Sequence, residues 1–152
     1  MRISKHISYK EAVHSNTAKR RGIENKPNDD QLYNMAKVAH NIFEPLRLYV
    51  GGAIKINSFF RSEELNKAIG GSSKSQHCQG CAIDIDDIYG HKSNYQMFEY
   101  IRENLDFDQL IYEFGDADNP DWVHVSYVSS KENRNRVLRA VKNNGKTSYQ
   151  VF

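Results

Sequence analysis

His77, Asp84 and His124 are the residue types that hold a catalytic zinc through three protein ligands and leave a fourth position open. They stand in Ser75-Gln76-His77-Cys78-Gln79-Gly80-Cys81-Ala82-Ile83-Asp84 and in Asp121-Trp122-Val123-His124. Asp121, three residues before the last histidine, is a carboxylate able to take the proton of a water polarised at such a site. The chemistry these residues could do together is hydrolysis.

Strand geometry must bring them together. Ala82-Ile83-Asp84-Ile85-Asp86 alternates, so Ile83 and Ile85 can face a core while Asp84 and Asp86 share the other face. Val123 and Val125 alternate in the same way with Trp122, His124 and Ser126. If the two strands lie side by side, Asp84 and His124 converge. His77 then enters from the loop before the first strand, and Gly80 lets the backbone turn tightly between the two ligands.

These motifs resemble the zinc D-Ala-D-Ala carboxypeptidase family, the M15 peptidases, which includes dipeptidases and phage endolysins acting on peptidoglycan. The family pattern S-x-H-x-x-G-x-A-x-D stands here as Ser75, His77, Gly80, Ala82 and Asp84, and its acidic-x-x-His element as Asp121 and His124. The resemblance implies one zinc per chain, with His77, Asp84 and His124 as ligands and Asp121 as general base. The family's arginine matches Arg61 in Asn57-Ser58-Phe59-Phe60-Arg61-Ser62. Its implied role is to hold the substrate or stabilise the developing oxyanion, with Ser75 a further substrate-binding candidate. Many members carry Glu at the base and Trp before the last histidine, where this chain has Asp121 and Val123. The implied substrate is a peptidoglycan stem peptide, cut as a D-Ala-D-Ala carboxypeptidase or as an endolysin-type L-Ala-D-Glu endopeptidase. The rival reading is a zinc-stabilised binding module of the same hedgehog-like fold that lacks turnover. Glu113, Asp116 and Asp118 are the other acids near the last ligand, and none matches the family base.

Length and composition set the frame. A chain of 152 residues, 39% of them hydrophobic, suits one domain over 1–152 with its own core, expected to be a monomer. No apolar run approaches the ~18 residues of a membrane span, and Met1-Arg2-Ile3-Ser4-Lys5-His6 lacks the apolar stretch expected of a signal peptide. A net charge of +2 does not demand a nucleic-acid partner, and the basic tail from Lys131 to Lys142 reads as a solvated face. Cys78 and Cys81 are too few for a disulfide framework and are expected to pack around the site.

The remaining elements follow from caps and stripes. Ser8 with Glu11 starts a short helix, and 15–22 reads as a loop and helical turn. Asn28 caps a helix with Leu32, Met35, Ala36, Ala39, Ile42 and Phe43 on its apolar side, expected to end at Pro45. A strand is expected near 53–59, a short helix from Ser62 to Gly70-Gly71, and a helix after Ser93 with Gln96 in capping-box position. Gln109–Phe114 reads as a strand, and 136–152 around Asn143-Asn144-Gly145 as a terminal hairpin. The expected class is α+β, an antiparallel sheet packed against helices.

Overall fold

A computed structural model describes residues 1–152. A two-stranded hairpin, β1 (Arg2–Ser4) and β2 (Ile7–Ser8), leads into α1 (Tyr9–Ala12) and α2 (Asn16–Arg21). Ser8 and Ser15 cap the two helices by accepting from the Glu11 and Ala18 amides. A long helical segment follows, α3 (Asp29–Val38), a π turn (Ala39–Phe43) and α4 (Glu44–Val50). Asn28 and Gln31 close a reciprocal capping box at its start.

This segment corrects the expected stop at Pro45. Proline has no N–H to give and its ring crowds the carbonyl four residues back, which breaks a regular α-helix. Here the helix widens by one residue just before it, with the Glu44 amide donating to Ala39 O, and Pro45 sits in the first turn of α4 where no donor is needed. The chain then stays helical to Val50, where Gly51 takes a left-handed conformation and ends it.

The main sheet contains β3 (Lys55–Ser58), β4 (Ala82–Asp86), β5 (Gln109–Glu113), β6 (Trp122–Ser126), β7 (Arg136–Asn143) and β8 (Lys146–Val151). Between them run α5 (Glu63–Ala68), capped by Ser62, a 3₁₀ turn (Gln76–Gln79) and α6 (Asn94–Asn104), which opens with the Ser93–Gln96 capping box. The strand order is β3-β4-β6-β5-β7-β8. The fold is α+β, as expected, but the sheet is mixed rather than antiparallel, because β5 and β7 run parallel. The near edge of β5 is already paired to β6, so the chain returning after Ser126 passes the end of β5 and settles on its far edge. The β7–β8 hairpin turns at Asn144 and Gly145, both at positive φ, the backbone that an Asn-Gly turn supplies.

The helices cover one face of this sheet. Ile83 and Ile85 of β4, Val123 and Val125 of β6, and Leu110 and Tyr112 of β5 are buried in one cluster with Met35, Val38, Ile42 and Leu46 of the long helix and Met97, Phe98 and Ile101 of α6. Truncating one of the large aliphatic residues here to alanine should cost about 2–5 kcal/mol. The opposite face carries a small second cluster, Ile111, Leu138 and Ala140, with Phe114 against it. It is on this second face that the polar residues gather. No helix is long and apolar enough to cross a membrane.

Candidate active site

Asp84 on β4 and His124 on β6 are direct partners in the antiparallel register. Their neighbours Ile83, Ile85, Val123 and Val125 point into the core, which forces both functional side chains onto the other face. Asp84 Oδ1 lies 2.9 Å from His124 Nδ1, and Asp84 Oδ2 lies 3.2 Å from His77 Nε2. His77 comes from the 3₁₀ turn just before β4. The turn ends at Gly80, where φ is +78° and a Cβ would fall 2.5 Å from Gln31 O, so the position has room for no other residue. Ser75 begins the same turn, its hydroxyl accepting from the His77 amide at 3.3 Å.

His77, Asp84 and His124 offer ligand atoms that all lie within 4.8 Å of one another, a donor set able to hold one metal ion. Two observations fit a zinc-type site. His77 Nδ1 is 2.7 Å from Phe59 O, and because a carbonyl only accepts, the ring proton sits on Nδ1 and the lone pair on Nε2. That Nε2 is fully buried and has no hydrogen-bond partner of good geometry, although it faces the carboxylate. Burial pushes His77 down, so it stays a neutral imidazole. Burial also works against charge on Asp84, but the His124 ring at its Oδ1 outweighs it and holds the carboxyl far below its ordinary range. A neutral histidine and an ionised carboxylate are the protonation states that ligation requires.

Arg61 stands beside the cluster, its Nη2 3.8 Å from Asp84 Oδ2 and its Nη1 donating to Asn66 Oδ1 at 3.0 Å. Asn66, buried in α5, is held in turn by donating to Ser72 O. A Cβ on Gly71 would fall 2.1 Å from Asn66 Oδ1 and 3.1 Å from Arg61 Nη1, so the glycine makes room for this pair. Gln76, next to His77, is anchored from the opposite side by donating to Asp108 Oδ2 at 2.9 Å. Asp108 also takes a two-pronged contact from Arg134, Nε at 2.9 Å and Nη2 at 2.8 Å.

The cluster opens into a cavity of about 900 Å³ lined in part by Arg61, Ser75, His77, Asp84, Glu113 and His124. Glu113 is two residues beyond Ile111, the register partner of His124, and therefore shares its face. It is 7% exposed, and burial, with the Asp84 charge added and His124 opposing, pushes its carboxyl up to about 7. Asp121 is placed differently. It is exposed, sits an odd number of residues from His124, and lines an adjoining cavity of about 490 Å³ that shares Phe114 and Trp122 with the first. Its main chain is what holds it, the amide donating to Glu113 O and the carbonyl accepting from Asn94 Nδ2.

The structure thus brings together His77, Asp84, His124, Arg61 and Ser75 and sets Asp121 beside them in a second cavity. Sequence reasoning misses the hydrogen bonds that Asn66 and Asp108 make and leaves Glu113 at a strand end without placing it on the face of His124. The signal for Glu113 is the alternation of Ile111 and Glu113 against Leu110 and Tyr112. Cys78 and Cys81 are free thiols outside the ligand cluster, and burial pushes both up, keeping them protonated.

No curated protein matches the chain. A family model described as Peptidase M15, however, matches residues 5–126, a span that runs from the N-terminal hairpin through β6 and takes in all three residues of the cluster. With four-fifths of its length covered in this way, the chain belongs to the peptidase M15 family.

Proposed function

We propose that this protein is a zinc peptidase that cuts a peptide bond in the stem peptides of bacterial peptidoglycan, with His77, Asp84 and His124 as the zinc ligands. The observation that carries the reading is the buried, unpartnered Nε2 of His77 facing Asp84 beside His124, within a chain of the M15 family. A zinc ion held there would supply a Lewis acid for the scissile carbonyl and lower the pKa of the attacking water. Around it, the chain's own residues divide the remaining work. Arg61, fixed by Asn66, presents a guanidinium to the substrate carbonyl or carboxylate and to the charge that develops on it. Ser75 shapes the turn that carries His77 and borders the substrate.

Proton transfer falls to Glu113 in this reading. It shares the face and cavity of the ligands, and its buried carboxyl can take a proton and return it to the leaving amine. The family spacing favours Asp121 instead, three residues before His124. The two assignments separate in one experiment, turnover of a peptidoglycan fragment by zinc-loaded Glu113→Gln and Asp121→Asn proteins, with released amine termini identified by mass spectrometry. Glu113→Gln should lose about 10²–10⁴-fold while Asp121→Asn stays within a few-fold of wild type. The reverse pattern assigns the base to Asp121. An unaltered peptidoglycan sample with wild-type enzyme at saturating zinc favours the binding-module reading.

A further inference from the structure

Part of the cavity wall comes from outside the family-matched segment. β7 and β8 lie beyond residue 126, yet Arg136, Leu138, Thr147 and Tyr149 all line the cavity that holds the ligand cluster. Register fixes their arrangement. Glu113 pairs with Ala140 and Ala140 with Tyr149, so the three form one row across the sheet on the face of His124. Two strand spacings of about 4.8 Å separate the backbones of Glu113 and Tyr149. The residue between them contributes only a methyl group, and nothing bulky stands in the row to keep the tyrosine from leaning over the cavity. Tyr149 lines the cavity while remaining 57% exposed, so its ring stands at the rim.

Charge on the rim is uneven. Arg134 is consumed by Asp108, and Arg61 is tied to Asn66 beside Asp84. Arg136, on the same face opposite Gln109, and Lys74, which also lines the cavity, make no ion pair. Asp84 is engaged by the histidines and Arg61, and neither it nor Glu113 forms an ion pair with Arg136 or Lys74. A ligand with its own carboxylate would complete this rim.

Resting on the peptidase reading, we infer that the β7–β8 hairpin is the substrate-selecting wall, in which Arg136 pairs with a free carboxylate flanking the scissile bond and the Tyr149 hydroxyl hydrogen-bonds the peptide beside Glu113. For cleavage between L-Ala and D-Glu that carboxylate is the D-glutamyl α-carboxylate, and the enzyme then prefers stem peptides in which it is free over those in which it is amidated.

The test measures binding, so that it stands apart from turnover. Zinc-loaded Glu113→Gln protein is titrated calorimetrically with L-Ala-γ-D-Glu-L-Lys-D-Ala-D-Ala and with the same peptide carrying D-isoglutamine. The free acid should bind at least tenfold more tightly. Adding Arg136→Gln should erase that preference and Arg136→Lys should restore part of it, while Tyr149→Phe should weaken both peptides alike by several-fold. Equal affinities for the two peptides, binding of neither, or a preference that survives Arg136→Gln overturns the inference. Failure of wild-type enzyme to cleave either peptide overturns the peptidase reading alone, because the affinity comparison is made without cleavage.

Discussion

Asp84 and His124 face each other across one rung of the β4–β6 ladder, with 2.9 Å between Asp84 Oδ1 and His124 Nδ1. The pairing makes the geometry of these two proposed ligands a property of sheet register. A slip of one residue in either strand would turn one of the two into the core and bring an isoleucine or valine out in its place. His77 is the only member of the cluster that depends on a turn, and the start of that turn is fastened twice, by Phe59 O at His77 Nδ1 and by Asp108 at Gln76.

The first prediction concerns the metal. Purified wild-type protein should carry close to one zinc per chain by elemental analysis, and His77→Ala or His124→Ala should each lose most of it. Full occupancy in both variants would remove these histidines from the ligand set.

The cysteines should be dispensable. Cys78 and Cys81 are protonated thiols outside the cluster, so a Cys78→Ser, Cys81→Ala double variant should keep its zinc and turn over within a few-fold of wild type. Loss of metal from the double variant would bring the thiols into the coordination sphere.

Glu113 should trade stability for function. Its carboxyl is raised from 4.5 to about 7, so between those pH values the native state keeps a proton that the unfolded chain releases. Its contribution is therefore fully present below about pH 4.5 and is lost as pH rises through about 7, at a cost of up to about 3 kcal/mol in zinc-free protein. Denaturation of zinc-free protein at pH 8 should show Glu113→Gln more stable than wild type, with the gap closing at pH 4.5. A gap independent of pH would mean that Glu113 binds its proton no more tightly in the fold than in the unfolded chain.

Arg61 should depend on its support. Asn66→Ala removes the acceptor of Arg61 Nη1, and Gly71→Ala drives a methyl into the same pair. Both should lower kcat/KM by roughly tenfold or more, the loss expected when a positioned charged donor drifts, with zinc content unchanged. Zinc loss that parallels the loss of activity would show that the pair supports the ligands instead.

The alternation of hydrophobic and polar residues makes β4 and β6 readable, and with them the meeting of Asp84 and His124, because a two-residue period states which side chains share a face. The caps at Ser8, Asn28, Ser62 and Ser93 are equally readable, since each is a local hydrogen bond between residues three apart. Two features are not. The passage of the helix through Pro45 depends on a widened turn with no residue signature of its own, and the parallel pairing of β5 with β7 depends on which strand edge remains free when the chain returns. For the same reason the place of Glu113 beside the cluster is hard to read: it is set by β5 lying against β6, a non-local fact, whereas Asp121 is close to His124 along the chain.

The parallel pairing of β7 on β5 also orders events in time. A strand that joins the sheet on the far edge of β5 has nothing to dock against until β5 and β6 have themselves paired, and non-local pairings of this kind are slow to form. The ribosome also releases β7 and β8 after the strands that carry Asp84 and His124, because they follow β6 along the chain. The ligand cluster should consequently be assembled before its outer wall, and a nascent chain, or one clipped after β6, should bind metal while still lacking the rim formed by Arg136 and Tyr149. In pulse-labelled hydrogen exchange during refolding, amides joining β4 to β6 should gain protection before those joining β5 to β7, and simultaneous protection would refute this order.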